Sequence, residues 1–160
     1  MRKLLFVLII AIVFLGGCGS NGSTNSGSFD NSNLKEEIAS EPYQPKLPTE
    51  LPFKVESASF EPAINDVDNE TILNFKFLGE NKAMELMTVN GKSIEDESVN
   101  ETVDIEGIKG EYGEVSPGNG QTIKILIWKD DGIVYKLSAG TTESKDIKKE
   151  EFIETASSFE

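Results

Sequence analysis

From residue 53 onward apolar and polar side chains alternate with a period of two, the signature of strands that bury one face. Phe53, Val55, Ser57 and Ser59 alternate with Lys54, Glu56, Ala58 and Phe60, and in residues 72–77 Leu73, Phe75 and Phe77 share one side. A third strand is expected over 84–89, where the apolar phase slips between Leu86 and Met87 as a β-bulge would make it slip. Asn90-Gly91 marks a turn. Alternation resumes over 102–105 and 108–115, with glycines at 107, 110 and 113 that suggest a bent strand or a tight hairpin whose backbone is closely approached. After a turn at 116–120 comes the strongest local signal. Ile123, Ile125 and Ile127 alternate with Lys124, Leu126 and Trp128, the run Lys129, Asp130, Asp131, Gly132 supplies a turn, and Ile133, Tyr135 and Leu137 restore the pattern. An antiparallel hairpin is expected there.

The period then changes. Ile147, Phe152, Ile153, Ala156 and Phe159 can share one helical face, with Lys148, Glu150, Glu151, Glu154 and Ser157 toward water and Thr142 or Ser144 as the cap. The expected fold is α+β: a curved antiparallel sheet of about six or seven strands over residues 53–160, packed against a C-terminal helix, with its other face left to solvent or a partner.

The N-terminus follows a different grammar. Arg2 and Lys3 precede an unbroken apolar run over 4–15, then Gly16, Gly17 and Cys18. This is a secretory signal over residues 1–17, too short for a relaxed membrane span. Residues 15–18 (LGGC) also resemble the bacterial lipobox, which implies that the Cys18 thiol receives a diacylglyceryl group and that cleavage before it leaves Cys18 as the first mature residue. Two acyl chains give stable membrane association where one would be marginal. Residues 18–52 read as the lipidated Cys followed by a disordered tether. The stretch 19–33 is nearly all Gly, Ser, Asn and Thr, 34–40 offers only Leu34 and Ile38 as an apolar pair, and Pro42, Pro45, Pro48 and Pro52 favour an extended approach to the domain. As a flexible chain, this tether would reach about 30 to 35 Å. The Pro42/Pro45 and Pro45/Pro48 pairs are read as spacer rather than as a peptide ligand.

Charge and composition exclude more than they assign. The chain has 160 residues, 15 basic and 28 acidic, for a net of −13. Arg2 and Lys3 leave with the signal, so the mature chain carries 13 against 28, or −15. That charge repels phosphate backbones and argues against nucleic acid as a partner. With no His and one Cys, zinc sites, His-based triads and intrachain disulfides are excluded. No nucleophile-elbow, phosphate-loop or dinucleotide motif occurs, and the glycines over 107–113 are followed by a strand, not a helix. No enzyme, cofactor or metal is expected.

Three stretches carry a family resemblance: LPTELPF (47–53), ILIWKDDGIVYKLSA (125–139) and EEFIETASSF (150–159). Together they resemble an extracytoplasmic domain family of unknown function in Gram-positive bacteria, present in lipoproteins and at the outer end of membrane-bound regulators. The resemblance implies a curved antiparallel sheet with a packed helix, loosely similar to the half-barrels of lipoprotein carriers and of sensors that regulate sigma factors. It implies no catalytic residues. The expected address is the cell membrane, lipid-anchored through Cys18 and facing outward. The expected function is a non-enzymatic binding module engaging an envelope protein in sensing or regulation; the alternative is a carrier of a hydrophobic ligand such as a lipid.

Trp128 and Tyr135 are the candidate ligand or partner contacts, since aromatic rings with polar handles suit a groove. Against this stands packing on the terminal helix through Phe152 and Phe159, which is the heavier reading. Asp66, Asp68 and Glu70 alternate as in a weak calcium loop, but they lack the turn glycine and the distant Glu of such a site and read as a solvated loop. The acidic stretch from Glu95 to Glu101 is expected to be an exposed loop, and Asp130-Asp131 to be turn chemistry.

Overall fold

A computed structural model of the chain describes residues 27–62, 71–91, 93–118, 120–142 and 146–160. The signal, the Cys18 lipobox, residues 19–26, the acidic positions 66–70 and the Ser144 cap lie outside the described residues.

Seven antiparallel strands form one open sheet: β3 (Ser57–Pro62), β4 (Ile72–Leu78), β5 (Ala83–Asn90), β6 (Val99–Ile105), β7 (Ile108–Val115), β8 (Gln121–Asp130) and β9 (Ile133–Thr142). Their order is β3-β4-β5-β9-β8-β7-β6, so β3 and β6 are the edges and no barrel closes. Two hairpins turn on left-handed residue pairs, Glu106-Gly107 and Asp131-Gly132, with φ of 50° and 92°, and 48° and 85°. Such turns carry the twist that flanking strands need. Lys129 and Asp130 belong to β8 itself, and the turn is only two residues long.

Register explains the burial. Leu73, Phe75 and Phe77 of β4 face inward beside Met84, Leu86 and Thr88 of β5, then Tyr135 and Leu137 of β9 and Leu126 and Trp128 of β8. The bulge expected in β5 is absent. Pairing runs unbroken from Ile72↔Val89 to Leu78↔Ala83. The inward position after Leu86 is the polar Thr88, which the alternation hid because Met87 and Val89 point to the other face. Thr88 is satisfied inside by Tyr43, whose hydroxyl donates to the Thr88 carbonyl at 2.6 Å. The irregularity lies in β6 instead, between Val99 and Glu101.

The helix α2 (Lys149–Ser157) starts later than its pattern suggests, with Lys148 as N-cap and Ile147 buried ahead of it. Thr142, one of the two expected caps, belongs to β9. Glu151 is not on the water side: its carboxylate accepts the Lys148 backbone N–H at 2.6 Å, closing the first turn. Lys124, inward on β8, is also buried, and its ammonium donates to Asp146 and to the Ile147 carbonyl, both at 2.7 Å. That pair fixes the entry to α2, which packs on β6 and β8.

Residues 27–52 are the principal departure from expectation. Read as tether, they are instead a folded part of the domain. β1 (Gly27–Ser28) pairs with β2 (Glu50–Leu51), α1 (Ser32–Glu37) packs near β3, and Leu34, Ile38, Tyr43, Leu47 and Leu51 are core residues. Phe29 meets Phe77 edge-on at 5.4 Å. The Asn31 amide, itself buried, donates to the Leu47 and Pro48 carbonyls, and Leu47 exchanges two backbone hydrogen bonds with Glu160 at 3.2 Å. The physical reason is that single apolar residues set among polar ones make no periodic stripe, yet each finds a place on the sheet. This segment covers β3, β4, β5 and β9, and α2 covers the half toward β6. Phe53 sits in the same inner layer, ahead of β3 rather than inside it.

Candidate functional site

The described inner layer is closely packed. Phe75, Phe77, Leu73, Met84, Leu86, Leu126, Leu137 and Phe152 are all fully buried, and the opening between β2 and α2, bounded by Leu51, Pro52, Glu151 and Thr155, holds about 10 Å³. Trp128 and Tyr135 lie in this layer. They face each other across β8 and β9 as a stacked pair, ring centroids 5.0 Å apart, and Phe159 stands edge-on to both at 5.1 and 5.6 Å. The Tyr135 hydroxyl accepts the Lys46 backbone N–H at 3.2 Å, and burial pushes that phenol upward from its ordinary value. Phe152 takes no part in the stack and packs on Tyr112 instead. The two candidate contact residues are therefore core, with 4% and 1% of their surfaces exposed.

Openings lie elsewhere. Across the outer face of β3, β4, β5 and β9 runs a groove of about 360 Å³ lined by Glu61, Asn74, Lys76, Glu85, Met87, Lys136 and Ser138. The period of two builds it: these residues alternate with the buried set, and the register sets Glu61 beside Asn74, Asn74 beside Met87, Met87 beside Lys136, and Lys76 beside Glu85. One cross-strand row therefore runs from an anion at edge strand β3, over Asn74 and Met87, to a cation on β9. No simple hydropathy window reports this row, because its members come from four strands; only correct pairing assembles it.

Both groove cations are held from the rims. Lys76 donates to Glu61 at 2.9 Å, and that hydrogen bond raises the ammonium above its usual value. Lys136 donates to Asp96 at 2.7 Å. Asp96 is lowered to about 2, first by Lys136 and then by the Ser98 hydroxyl and backbone N–H. Each shift locks a charged form, the reverse of what a general acid or base working near neutral pH requires. Asp96 and Ser98 belong to the β5–β6 connection, whose Ile94 folds over Ile125, Ile127 and Val134 on the outer face. The acidic stretch there is thus partly packed rather than a free loop, and it covers the outer face at Ile125, Ile127 and Val134.

A second opening, about 570 Å³, is bounded by Gly27, Pro52, Phe53, Lys54, Glu56, Glu80, Asn81 and Lys82 at the β4–β5 end of the sheet. Among the described residues no group of three or more Cys, Asp or Glu side chains could hold a metal ion, and no helix is long and apolar enough to cross a membrane. No family model matches the chain, and no curated protein and no solved structure matches it.

Proposed function

We propose that this chain is a cell-envelope lipoprotein, anchored through lipid on Cys18 on the outer side of the membrane, whose domain is a non-enzymatic binding module. Its contact surface is the outer face of the sheet at β3, β4, β5 and β9, and its partner is an envelope protein. The observation that carries this reading is the contrast between the two faces: the described inner side chains are fully buried, while the outer face bears a charged groove. A carrier of a hydrophobic ligand needs apolar space between sheet and helix. The fully buried inner side chains and the 10 Å³ opening weigh against that alternative.

The test is a photo-reactive side chain placed at Asn74 in the full-length protein in its own cells. The expected result is a discrete protein–protein crosslink that disappears when Lys76→Glu and Lys136→Glu are added, with thermal unfolding still cooperative. A retained lipid in the native mass of the detergent-extracted protein, with no protein crosslink at position 74, would overturn the interaction reading in favour of the carrier.

A further inference from the structure

The folding of residues 27–52 changes where the domain can stand. If residues 18–52 were a tether, Cys18 and the first strand would be separated by some 34 residues of chain. The described fold instead already includes Gly27, nine positions after Cys18. Nine peptide units span at most about 30 Å whatever their conformation. The anchored end of the domain is therefore the end that carries Gly27.

That end is defined by close approaches. A Cβ on Gly27 would meet the Phe53 carbonyl at 3.1 Å, one on Gly79 would meet the Lys54 carbonyl at 2.8 Å, and the Glu56 N–H donates to the Leu78 carbonyl at 2.7 Å. Around Gly27 the 570 Å³ opening thus joins the segment before β3 to the β4–β5 turn. Its charged side chains are Lys54, Lys82, Glu56 and Glu80, which cancel. The remaining 11 basic and 26 acidic residues of the mature chain leave −15 on the rest of the molecule. Beside this opening Leu78 is 44% exposed, one of two large apolar side chains so exposed among the described residues.

We infer that this end, comprising Gly27, Lys54, Leu78 and Lys82, is the membrane-facing surface of the domain and rests on the anionic headgroup layer. An anionic bilayer repels the −15 carried by the rest of the molecule over about a Debye length, roughly 8 Å at physiological salt, and so favours this charge-balanced end turned inward. Lys54 and Lys82 meet the headgroups, and Leu78 adds apolar contact at their boundary. The inference rests on the anchor at Cys18. The outer-face groove then stands beside the membrane, within the height of one domain, where the exposed part of a membrane protein can reach it.

The test uses the lipidated full-length protein in phosphatidylglycerol vesicles containing headgroup-spin-labelled lipid. Thioether formation at Cys18 leaves an introduced thiol as the reactive one, so a fluorophore can be placed at Ser57→Cys, near Leu78, or at Asn90→Cys. These positions lie at opposite ends of β5 in the pairing register, about 25 Å apart by strand rise. Quenching is expected at position 57, lost at position 90, and reduced at 57 by Lys54→Glu with Lys82→Glu. Equal quenching at both positions in protein of the correct lipidated mass overturns this orientation and leaves the anchor standing. A mass without diacylglyceryl, with no flotation on vesicles, overturns the anchor itself.

Discussion

Trp128 and Tyr135 stack across β8 and β9 with their ring planes 7° apart, and Phe159, the penultimate residue, closes on both at nearly a right angle. Phe159 is thus packed against the core. Pro48 pairs with Phe159, and the Thr49 hydroxyl donates to the Ser158 carbonyl at 2.9 Å, so the segment between β1 and β2 holds that end down. Phe159→Ala removes the edge-on ring and is expected to cost about 2 kcal/mol, less than a fully buried Phe would. Urea denaturation should show the lower midpoint at unchanged slope, with Trp128 emission moved to the red. An unchanged midpoint would mean that the stack stands without Phe159.

Residues 27–52 are expected to be needed for folding. Leu34 and Ile38 are 2% and 1% exposed, so Leu34→Ala or Ile38→Ala should each cost about 2 to 4 kcal/mol. A chain beginning at residue 53 would lose Phe29, Leu34, Ile38, Tyr43, Leu47 and Leu51 together and should fail to fold cooperatively. Wild-type stability in that truncation, measured by thermal unfolding, would return the segment to the status of tether.

Acid should weaken the fold through Asp96. Its carboxyl is at about 2 in the folded protein against an ordinary 3.8, so the unfolded state binds more protons between those values. The stabilisation is fully present above the ordinary value and is lost as pH falls through about 2. At about 1.4 kcal/mol per unit it is worth about 2 kcal/mol. Asp96→Asn is expected to lower stability near neutral pH by up to about that amount, and the two proteins should converge at the acid end of the window. A parallel pH profile for wild type and variant would show that the Lys136–Asp96 pair contributes nothing.

Gly113 permits a backbone approach that no other residue allows. An added Cβ would lie 2.0 Å from the Ser98 carbonyl oxygen and 2.7 Å from the Val99 Cα, at the irregular start of β6. Gly113→Ala must displace that strand and is expected to cost about 1 to 3 kcal/mol, with amide exchange rising first over residues 98–101. Gly140→Ala meets nothing within 4 Å and is the control.

How much was legible follows from the range of the forces involved. The β8–β9 hairpin could be read because its alternation and its turn are local, with Asp131-Gly132 supplying the left-handed pair beside Ile127 and Ile133. The inward set Leu73, Phe75 and Phe77 could be read for the same reason. The β5 phase is hidden in the sequence because Thr88, a polar residue, takes an inward position that a distant Tyr43 makes tolerable. The groove could not be found by motif, since Glu61, Asn74, Met87 and Lys136 become neighbours only through pairing of four strands. Trp128 and Tyr135 were legible as a cross-strand pair, but only the seating of Phe159 decided that they are sealed from solvent.

By itself the sequence determined the antiparallel sheet, the C-terminal helix and the balance of charge, because strand alternation, turn residues and titratable groups act over a few residues. Tertiary structure alone decided that residues 27–52 belong to the domain, that Glu151 and Lys124 lie inside, and that an open charged row crosses the outer face. Those outcomes depend on burial and pairing between residues more than a hundred positions apart, as with Thr49 and Ser158. Such contacts overcome the conformational entropy of an apparently unstructured segment only when the whole sheet is present to receive it.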